Sequence, residues 1–359
     1  MVDIARALAG LQAQDAGAAD LCLRARGPAL TVADVKRAFV DDRSVVRSWL
    51  MRGTLHLVAT EDLGWMLSVL APVAIDRSRR RMERLGLDEH TADRGVERLA
   101  DVLADGMPRT RVEIAGLLAD DGIPLEGQAL PHLIRYAALR GVLCNGPLRG
   151  GKPSYVRLEA WLGPGASDPP GAGDPPGAGG PPGDGVARLA GRYLAAFGPA
   201  SVDDFAYWSG LRKSDARTGW DAMPYETVVV NAAGQAARMP ADRVAWVDEL
   251  DGEGQSEPSV RLTGMFDSYL LGYRSRELAL APEYADPLIP GTGGMIRASL
   301  LVDGRVRGAW KSRGRGEGIE VLLEAFGRLP AAVRAGLQRE VEGVAHFLGV
   351  PATLTIARL

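Results

Sequence analysis

The chain has 359 residues, of which 42 are lysine or arginine and 45 are aspartate or glutamate, and its formal net charge is −3. This composition is typical of a soluble globular protein of two or three domains, and it excludes a protein that is basic over its whole surface. The two cysteines and four histidines show neither a disulfide framework nor metal-ligand spacing, so we expect no metal and no other cofactor.

The first part of the chain predicts two helices, a β-hairpin and a longer helix. Apolar residues at helical spacing predict a helix that begins near the N-terminus and ends at Gly17. The segment 31–34 resembles a capping box at the start of a second helix. The segment 45–58 is rich in strand formers and is interrupted by an arginine–glycine pair, which is typical of a hairpin. A long helix capped by Thr60 then runs toward Arg84.

The next part of the chain repeats this outline. Residues 109–120 and 128–140 predict two helices joined by a turn. The strand-like segments 142–144 and 155–158 then flank a glycine-rich basic tip at 146–152. Helix, turn, helix, strand, basic tip and strand is the order of elements in a winged helix-turn-helix.

A segment of glycine, proline, alanine, aspartate and serine at 163–185 predicts a linker, because it cannot bury enough apolar surface to become ordered. Beyond it, helices at 186–197 and 213–222, with another that begins after Ser201, precede the strand-like segment 225–230. This order is a third, weaker match to the winged helix.

The last part of the chain is predicted to be mostly β between residues 244 and 310, with turns at 251–252 and 303–304. A helix at 318–348, broken at Pro330, and a short strand at 352–359 follow.

The sequence therefore predicts an α+β fold of three tandem winged helix-turn-helix modules and a β-rich C-terminal part. The predicted units are a first module with its long helix at 1–90, a second module at 91–162, the linker at 163–185, a third module at 186–243 and the C-terminal region at 244–359.

The charged residues are segregated along the chain. Between residues 127 and 158 there are five basic residues and no acidic one, and between 295 and 315 there are six basic residues and one acidic one. The segment 76–84 carries five arginines and two acids, for which a solvated helix face is the simpler interpretation. The first two segments lie on or beside predicted hairpin tips, where a winged helix contacts phosphates, so the net charge is compatible with DNA binding.

Two glutamines near the N-terminus, Gln12 and Gln14, are separated by one apolar residue. In a continuous helix such residues lie about 200° apart and cannot share a face. If the helix ends before Gly17, both amides can point into one cleft. On these residues alone, two surface glutamines at a helix end are the simpler interpretation.

Four segments in order resemble one known family: GLQAQDA at 10–16, SWLMRGTLHLVATEDL at 48–63, FDSYLLGYRSR at 266–276 and PGTGGMIRASLLVDGRVRGAW at 290–310. The chain resembles the winged-helix DNA glycosylases of the AlkZ and YcaQ type, over nearly its whole length except the linker. The functional pair of that family is glutamine, an aliphatic residue and then glutamine or aspartate. Gln12 and Gln14 match the two-glutamine, AlkZ-like branch. The chain departs from the family in beginning eleven residues before Gln12, without a further upstream helix, and in its longer linker.

The resemblance implies three winged helices in a C-shaped arrangement around double-stranded DNA. It implies a monofunctional DNA glycosylase that excises alkylated purines of the N7-alkylguanine type, including bulky adducts and interstrand crosslinks, in DNA repair or in self-resistance to a genotoxin. Because neutral glutamines are poor general bases, we expect selectivity for cationic lesions, and because no lysine is near the pair in sequence, we expect no strand cleavage. We expect a monomer in the cytoplasm that is nucleoid-associated when bound to DNA, with no membrane partner.

Basic residues on predicted hairpins and tips are the candidates for DNA contacts. They are Arg52, His56, Arg149, Lys152, Arg274, Arg276, Arg297, Arg305 and Arg307. The predicted hairpin 296–310 is the candidate for insertion toward the lesion. A buried structural histidine in a strand is an alternative interpretation of His56, and His132, on an apolar helix face, is predicted to lie in the core.

Two other functions stay open at this point. A non-catalytic winged-helix DNA-binding protein or regulator would bind undamaged DNA selectively and release no base. A third class of protein would sequester a DNA-reactive natural product without contacting DNA. Internal repeats on one chain favour the enzyme over the regulator, because regulators usually dimerise instead.

Overall fold

The computed structural model describes residues 1–166, 182–232, 234–247, 257–291 and 294–358. Within these ranges the chain has a mixed α+β fold, as the sequence predicts. No helix in the described ranges is long and apolar enough to cross a membrane. The predicted turn at 251–252 and most of the predicted linker lie outside the described residues.

The first 166 residues contain both helices and strands. The helices are α1 (Val2–Ala7), α2 (Ala16–Arg24), α3 (Val32–Lys36), α4 (Leu63–Arg84), α5 (Glu89–Val102), α6 (Arg111–Leu117), α7 (Ala129–Leu139) and α8 (Leu158–Leu162). The strands are β1 (Leu11–Gln12), β2 (Val45–Trp49), β3 (Leu55–Ala59), β4 (Arg109–Thr110), β5 (Leu143–Arg149) and β6 (Lys152–Arg157). The predicted capping box is confirmed, because Thr31 and Asp34 exchange side-chain and backbone hydrogen bonds at the start of α3. The predicted cap of the long helix is wrong: Thr60 lies in a 3₁₀ turn, and Asp62 is the N-cap residue of α4.

The first helix ends at Ala7, so its predicted end at Gly17 is wrong. Ala9 and Gly10 have φ angles of 51° and 98°, which turn the chain out of the helix and into β1. A Cβ atom on Gly10 would lie 2.7 Å from a side-chain carbon of Val58, so this turn requires glycine. Gly17 itself lies within α2.

The strands of this part form one six-stranded sheet in the order β1-β3-β2-β5-β6-β4. The predicted hairpins are confirmed as the antiparallel pairs β2–β3 and β5–β6. Arg47 of β2 pairs with Asn145 of β5, which joins the two hairpins. Trp49 stacks on Tyr155 near this junction with ring centroids 6.3 Å apart.

Three helices and a hairpin follow the linker. They are α9 (Pro182–Phe197), α10 (Val202–Ser209), α11 (Lys213–Asp221), β7 (Thr227–Ala232) and β8 (Gln235–Pro240). Because α9 begins at Pro182, the last residues of the predicted linker belong to a helix. Ser201 and Asp204 form the predicted capping box of α10. Aromatic rings of the three helices pack together in the core, namely Tyr193, Phe197, Phe205, Trp208 and Trp220.

The C-terminal part contains strands and helices, namely β9 (Val260–Thr263), α12 (Ser268–Leu271), α13 (Ala285–Leu288), β10 (Ser299–Val302), β11 (Arg305–Arg315), β12 (Gly318–Ala325), α14 (Ala331–Leu348) and β13 (Ala352–Arg358). Its strands form a five-stranded sheet in the order β13-β12-β11-β10-β9. The prediction of mostly β structure up to residue 310 is wrong, because short helices and loops occupy 264–291 and 294–298. The segment 318–325 is a strand and not the start of a helix, since it pairs with β11 on one side and β13 on the other. The turn at 303–304 is confirmed.

Two buried ion pairs fix α2 and the residues after it to the C-terminal part. Arg24 is 2% exposed, and its guanidinium donates to the carbonyl of Leu262 at 2.5 Å and to the carboxylate of Glu340 at 2.7 Å. Arg26 binds the buried carboxylate of Asp267 through two nitrogens, at 2.7 and 2.8 Å. These contacts connect the segment after the two glutamines to β9, α12 and α14.

Candidate active site

The two glutamines lie at the edge of the six-stranded sheet. Gln12 is in β1, opposite His56 of β3, and the amide nitrogen of Ala13 donates to the carbonyl of Leu55 at 2.8 Å. Side chains alternate between the faces of a strand, so Gln12 and Gln14 point to one face and Ala13 points to the other. An extended chain, and not the predicted helix end, brings the two amides together.

The amides of this pair are in direct contact. Nε2 of Gln12 donates to Oε1 of Gln14 at 3.1 Å. Gln12 is 8% exposed, whereas Gln14 is exposed, so the pair extends from the interior of the sheet to its surface. Within the described chain Oε1 of Gln12 is buried and has no hydrogen-bond partner. Leaving such an atom unpartnered costs about 1–3 kcal/mol, so it is suited to accept a hydrogen bond from a water or a substrate.

A buried polar row continues from this pair across three strands. His56 pairs with Gln12 on one side and with Ser48 of β2 on the other, and all three residues are buried. Directly opposite residues in antiparallel strands have side chains on the same face, so the row faces the same way as the glutamines. The hydroxyl of Ser48 also has no partner within the ranges that the structure covers.

His56 is the titratable member of this row, and the structure keeps it neutral. Its Nδ1 lies 2.9 Å from the carbonyl oxygen of Thr54, so Nδ1–H donates there and Nε2 is left as an acceptor. Burial lowers the pKa of His56 to about 4, and the positive charge of Arg52 adds to this effect, while the bond to Thr54 opposes it. His56 is 4% exposed, so the structure places it inside the sheet and not on a surface where it could contact phosphates as a cation.

Two of the predicted DNA-contacting arginines meet around one aromatic ring. The guanidinium of Arg52 lies 5.3 Å from the ring centroid of Tyr207, and Nη2 of Arg276 lies 3.3 Å from the hydroxyl of the same tyrosine. Arg52 follows β2 with a φ of 56°, a conformation that costs a non-glycine residue about 1–2 kcal/mol. Such strained residues cluster at functional sites, which is consistent with a role for this arginine.

The other predicted contacts are spread over the molecule. Arg149 and Lys152 lie at the β5–β6 tip, where Arg149 pairs with Glu113 at 2.8 Å. Arg274 is an exposed side chain 3.6 Å from Asp203. The remaining three are in the C-terminal part: Arg297 is bound to Glu324 at 2.8 Å, Arg305 is exposed and Arg307 is half-buried. Arg297 is thus engaged within the protein and is the weakest candidate for a phosphate contact.

The hairpin β11–β12 is a candidate DNA contact that the sequence interpretation missed. Lys311, Arg313 and Arg315 are exposed along its outer half, and Glu320 pairs with both arginines at 2.7 and 3.5 Å. The signal in the sequence was the alternation of glycine with charged residues from 313 to 318, which is typical of a hairpin tip. The predicted hairpin at 296–310 is confirmed as the antiparallel pair β10–β11, and β11 continues into the longer hairpin with β12.

Comparison with known proteins identifies the class. A profile of AlkZ-like DNA glycosylases matches residues 5–347, and the chain therefore belongs to this DNA glycosylase family. The interstrand DNA cross-link repair glycosylase of Streptomyces sahachiroi is 30% identical over 318 residues, which are 86% of this chain and 81% of the relative. The solved structure of Streptomyces sahachiroi DNA glycosylase AlkZ is similar to 100% of this chain over 93% of its own length, with a TM-score of 0.79 and 28% identity. These findings confirm the resemblance, and DNA is the macromolecule that fits the family.

Proposed function

We propose that this chain hydrolyses the N-glycosidic bond of alkylated purines in double-stranded DNA, with Gln12 and Gln14 at the reacting centre. The supporting observation is their 3.1 Å contact, which leaves the carbonyl oxygen of Gln12 free to accept a hydrogen bond beside the exposed Gln14. Two neutral amides can orient a water, but they exchange protons poorly. The proposed substrate is therefore a base that is already cationic, such as N7-alkylguanine.

The proposed reaction needs no proton donor. When the bond between C1′ and N9 breaks, its electron pair leaves with the base and neutralises the positive charge of the alkylated ring. The sugar becomes an oxocarbenium-like cation, and a water held by Oε1 of Gln12 and the amide of Gln14 forms the new bond to C1′. The released proton goes to solvent, and the products are the free base and an abasic site.

We also propose that the enzyme is monofunctional. Strand cleavage by a glycosylase requires an amine that attacks C1′ and forms a Schiff base. Lys36 lines a cavity together with Ala13 and Arg47, on the face of the strand that points away from the glutamines. Lys213 is paired with Asp203 at 3.2 Å. Borohydride is therefore expected to trap no covalent protein–DNA adduct during base release.

The order of elements supports three winged-helix modules, as proposed from the sequence. The orders α2–α3–β2–β3, α6–α7–β5–β6 and α10–α11–β7–β8 each place helices before a hairpin. They correspond to the predicted units 1–90, 91–162 and 186–243, which the linker at 163–185 separates into two groups, with 244–359 as the C-terminal region. We propose that the modules form a C-shape around DNA and that the basic residues near Tyr207 and on the β11–β12 hairpin contact the backbone.

The related protein is named an interstrand cross-link repair glycosylase. We propose that bulky N7 adducts and interstrand crosslinks are within the substrate range of this chain, in repair or in self-resistance. An exposed Gln14 supports this, because a site open to the surface need not enclose the base in a tight pocket.

Product analysis separates the enzyme from the alternatives. A duplex with one N7-methylguanine, incubated with the protein, is expected to yield free N7-methylguanine and an intact strand that breaks only after alkaline treatment. A regulator would instead bind undamaged duplex in a salt-dependent manner and release no base. A protein that sequesters a drug would bind an alkylating natural product in a titration without DNA. Either outcome without base release would contradict the proposal.

The rate of base release is expected to be independent of pH between about pH 5.5 and 8. The amides do not titrate, and His56, with a pKa of about 4, stays neutral over this interval. Asp20 is the control, because burial raises its pKa to about 6, which lies within this interval. Asp20 lines the cavity on the Ala13 side of the strand, away from the glutamines, so its ionisation should not affect the rate. The Asp20→Asn variant should therefore give the same flat profile in single-turnover assays. A sigmoidal step centred near pH 6–7 in both proteins would show that a titrating group takes part.

A further inference from the structure

A cavity of about 260 Å³ lies between elements of all three proposed modules. Its charged residues are Arg52, Arg77, Arg81 and Arg135, together with His132, and no acidic residue is among those that line it. Arg77 and Arg81 are one helical turn apart on α4, and His132 and Arg135 are one turn apart on α7, so each pair projects from one helix face. Arg52 enters from the β2–β3 connection.

The four arginines differ from many others in the chain, because they lack acidic partners within the described residues. None of them forms an ion pair with an acidic residue that the structure describes, although Arg52 contacts Tyr207, and the Nε atoms of Arg52 and Arg135 are buried without a hydrogen-bond partner there. Burial lowers the pKa of both guanidinium groups from their ordinary value. Burial, followed by the positive charges of Arg135 and Arg81, also lowers the pKa of His132. Arg77 and Arg81 are exposed, whereas Arg52 and Arg135 are desolvated. Two desolvated cations without a counter-charge are unfavourable unless an anion joins them.

Two glycines bring the walls of this cavity into close contact. Gly53 has a φ of 66°, and a Cβ there would lie 2.0 Å from Nη2 of Arg135, so that guanidinium rests on the Gly53 backbone. Gly210, at the end of α10, has a φ of 78°, and a Cβ there would lie 2.9 Å from the Cα of Arg52. These contacts hold two of the guanidinium groups at defined positions, which a solvated charged surface does not require.

We propose that this cavity binds one phosphate group, and that the group is a phosphate of the DNA backbone next to the site of base release. One guanidinium group can donate two parallel hydrogen bonds to the oxygens of a phosphate. Guanidinium groups that converge on one cavity can therefore bind a single phosphate on several sides, which scattered surface arginines cannot do. Arg52 lies in the connection between β2 and β3, the strands that carry Ser48 and His56 of the buried row beside Gln12. The DNA source of the phosphate rests on the proposed glycosylase function.

The arginines of 76–84 are exposed, as a solvated helix face predicts, and two of them, Arg77 and Arg81, also line the cavity. The prediction that His132 lies in the core is wrong, because His132 is only half-buried and lines the cavity.

The test compares two double variants in the background of Gln12→Ala/Gln14→Ala, so that catalysis does not enter the readout. Arg81→Gln/Arg135→Gln removes two cavity arginines, and the matched control Arg79→Gln/Arg80→Gln removes two arginines of α4 that do not line the cavity. Affinity for undamaged duplex is measured against salt concentration. For the cavity variant, the slope of log K for DNA binding against log salt concentration is expected to be smaller in magnitude by about 0.9, the value for one phosphate. The change corresponds to one phosphate, although two charges are lost, because both arginines are proposed to contact the same phosphate. The control is expected to keep the slope of the parent protein.

The melting temperature provides the second arm, with inorganic phosphate as the probe and sodium chloride at equal ionic strength as the reference. Phosphate should raise the melting temperature of the parent and the control, but not that of the cavity variant. The cavity variant in chloride should melt at or above the parent temperature, because repulsion among like charges is relieved, and this shows that it folds. If the cavity variant loses the rise in melting temperature with phosphate but keeps the salt slope of DNA binding, the cavity binds a free phosphate ester and not a DNA phosphate. If phosphate does not raise the melting temperature of the parent and the salt slope is unchanged in the cavity variant, the proposal is overturned. Absence of base release by the protein with Gln12 and Gln14 intact would overturn only the proposed function.

Discussion

Replacing Gln12 and Gln14 together by alanine is expected to lower the single-turnover rate of base release by about 100-fold to 1000-fold, which is the scale for removing a group that orients or stabilises the reacting centre. The two side chains contact each other, so the single variants should lose nearly as much as the double variant. The rate is measured with saturating enzyme on duplex carrying one N7-methylguanine, which separates chemistry from binding.

The matched control is Gln338→Ala, because Gln338 is an exposed glutamine of α14 whose amide nitrogen donates to the carboxylate of Glu342 at 3.3 Å. It should retain the rate of the unmodified protein. DNA affinity and melting temperature of the Gln12 and Gln14 variants are measured in parallel, since Gln12 is buried and its loss could act through the fold. A double variant that binds DNA, melts normally and retains full activity would exclude these residues from the reaction.

The largest expected effect on stability is that of Asp267→Asn, with a loss of about 3–5 kcal/mol in the free energy of unfolding. The carboxylate of Asp267 is fully buried and accepts hydrogen bonds from two nitrogens of Arg26 and from the backbone of Tyr269 at 2.9 Å. The substitution removes the charge and leaves the guanidinium of Arg26 in a largely buried position. It also loosens the contact between the segment after α2 and the C-terminal part.

Urea unfolding of Asp267→Asn and of the control Asp101→Asn tests this expectation. Asp101 pairs with Arg98 on a helix surface and is 64% exposed, so its loss should cost less than about 1 kcal/mol. Burial opposes ionisation of Asp267, but Arg26 holds its pKa below the ordinary value. This contribution to stability is therefore present above about pH 4 and decreases as the pH falls through the lower folded-state pKa. If both substitutions lower the free energy of unfolding equally, the buried pair of Arg26 and Asp267 does not stabilise the contact between the segment after α2 and the C-terminal part.

Features specified by neighbouring residues were predictable from the sequence. Thr31 with Asp34, and Ser201 with Asp204, form capping boxes because the two partners are three residues apart. The hairpin at 45–58 was recognisable from its strand formers and the break at Arg52. The glutamine pair was found through its resemblance to a family motif, and not through spacing, which alone favoured two surface residues.

Features specified by distant residues were not predictable in this way. The segment 318–325 contains residues that suit a helix, but β11 and β13 lie on its two sides and supply backbone partners that only a strand can use. The chain at 9–12 leaves the helix because β3 offers a pairing edge to Gln12. The environment of His56 depends on the same pairing.

The cationic cavity is also specified by residues that are distant in the sequence. Arg52, Arg77, Arg81 and Arg135 are separated along the sequence and come together only through the packing of α4, α7 and the β2–β3 connection. The sequence shows the run at 76–84 as a charge cluster, but only the described structure shows that no acidic residue lines the cavity that two of its arginines share. Charge runs of this kind acquire a specific interpretation when the residues that face them are known.

The most direct test of a neutral glutamine pair as the reacting centre is the rate of base release from matched duplexes that differ in one lesion. N7-methylguanine is cationic, whereas uracil and unmodified guanine at the same position are neutral, so only the first can leave without a proton donor. A reacting centre of two neutral glutamines predicts single-turnover release of N7-methylguanine and no detectable release of uracil or guanine. Release of the neutral bases at a comparable rate, or no release of N7-methylguanine by protein that binds the duplex, would contradict it.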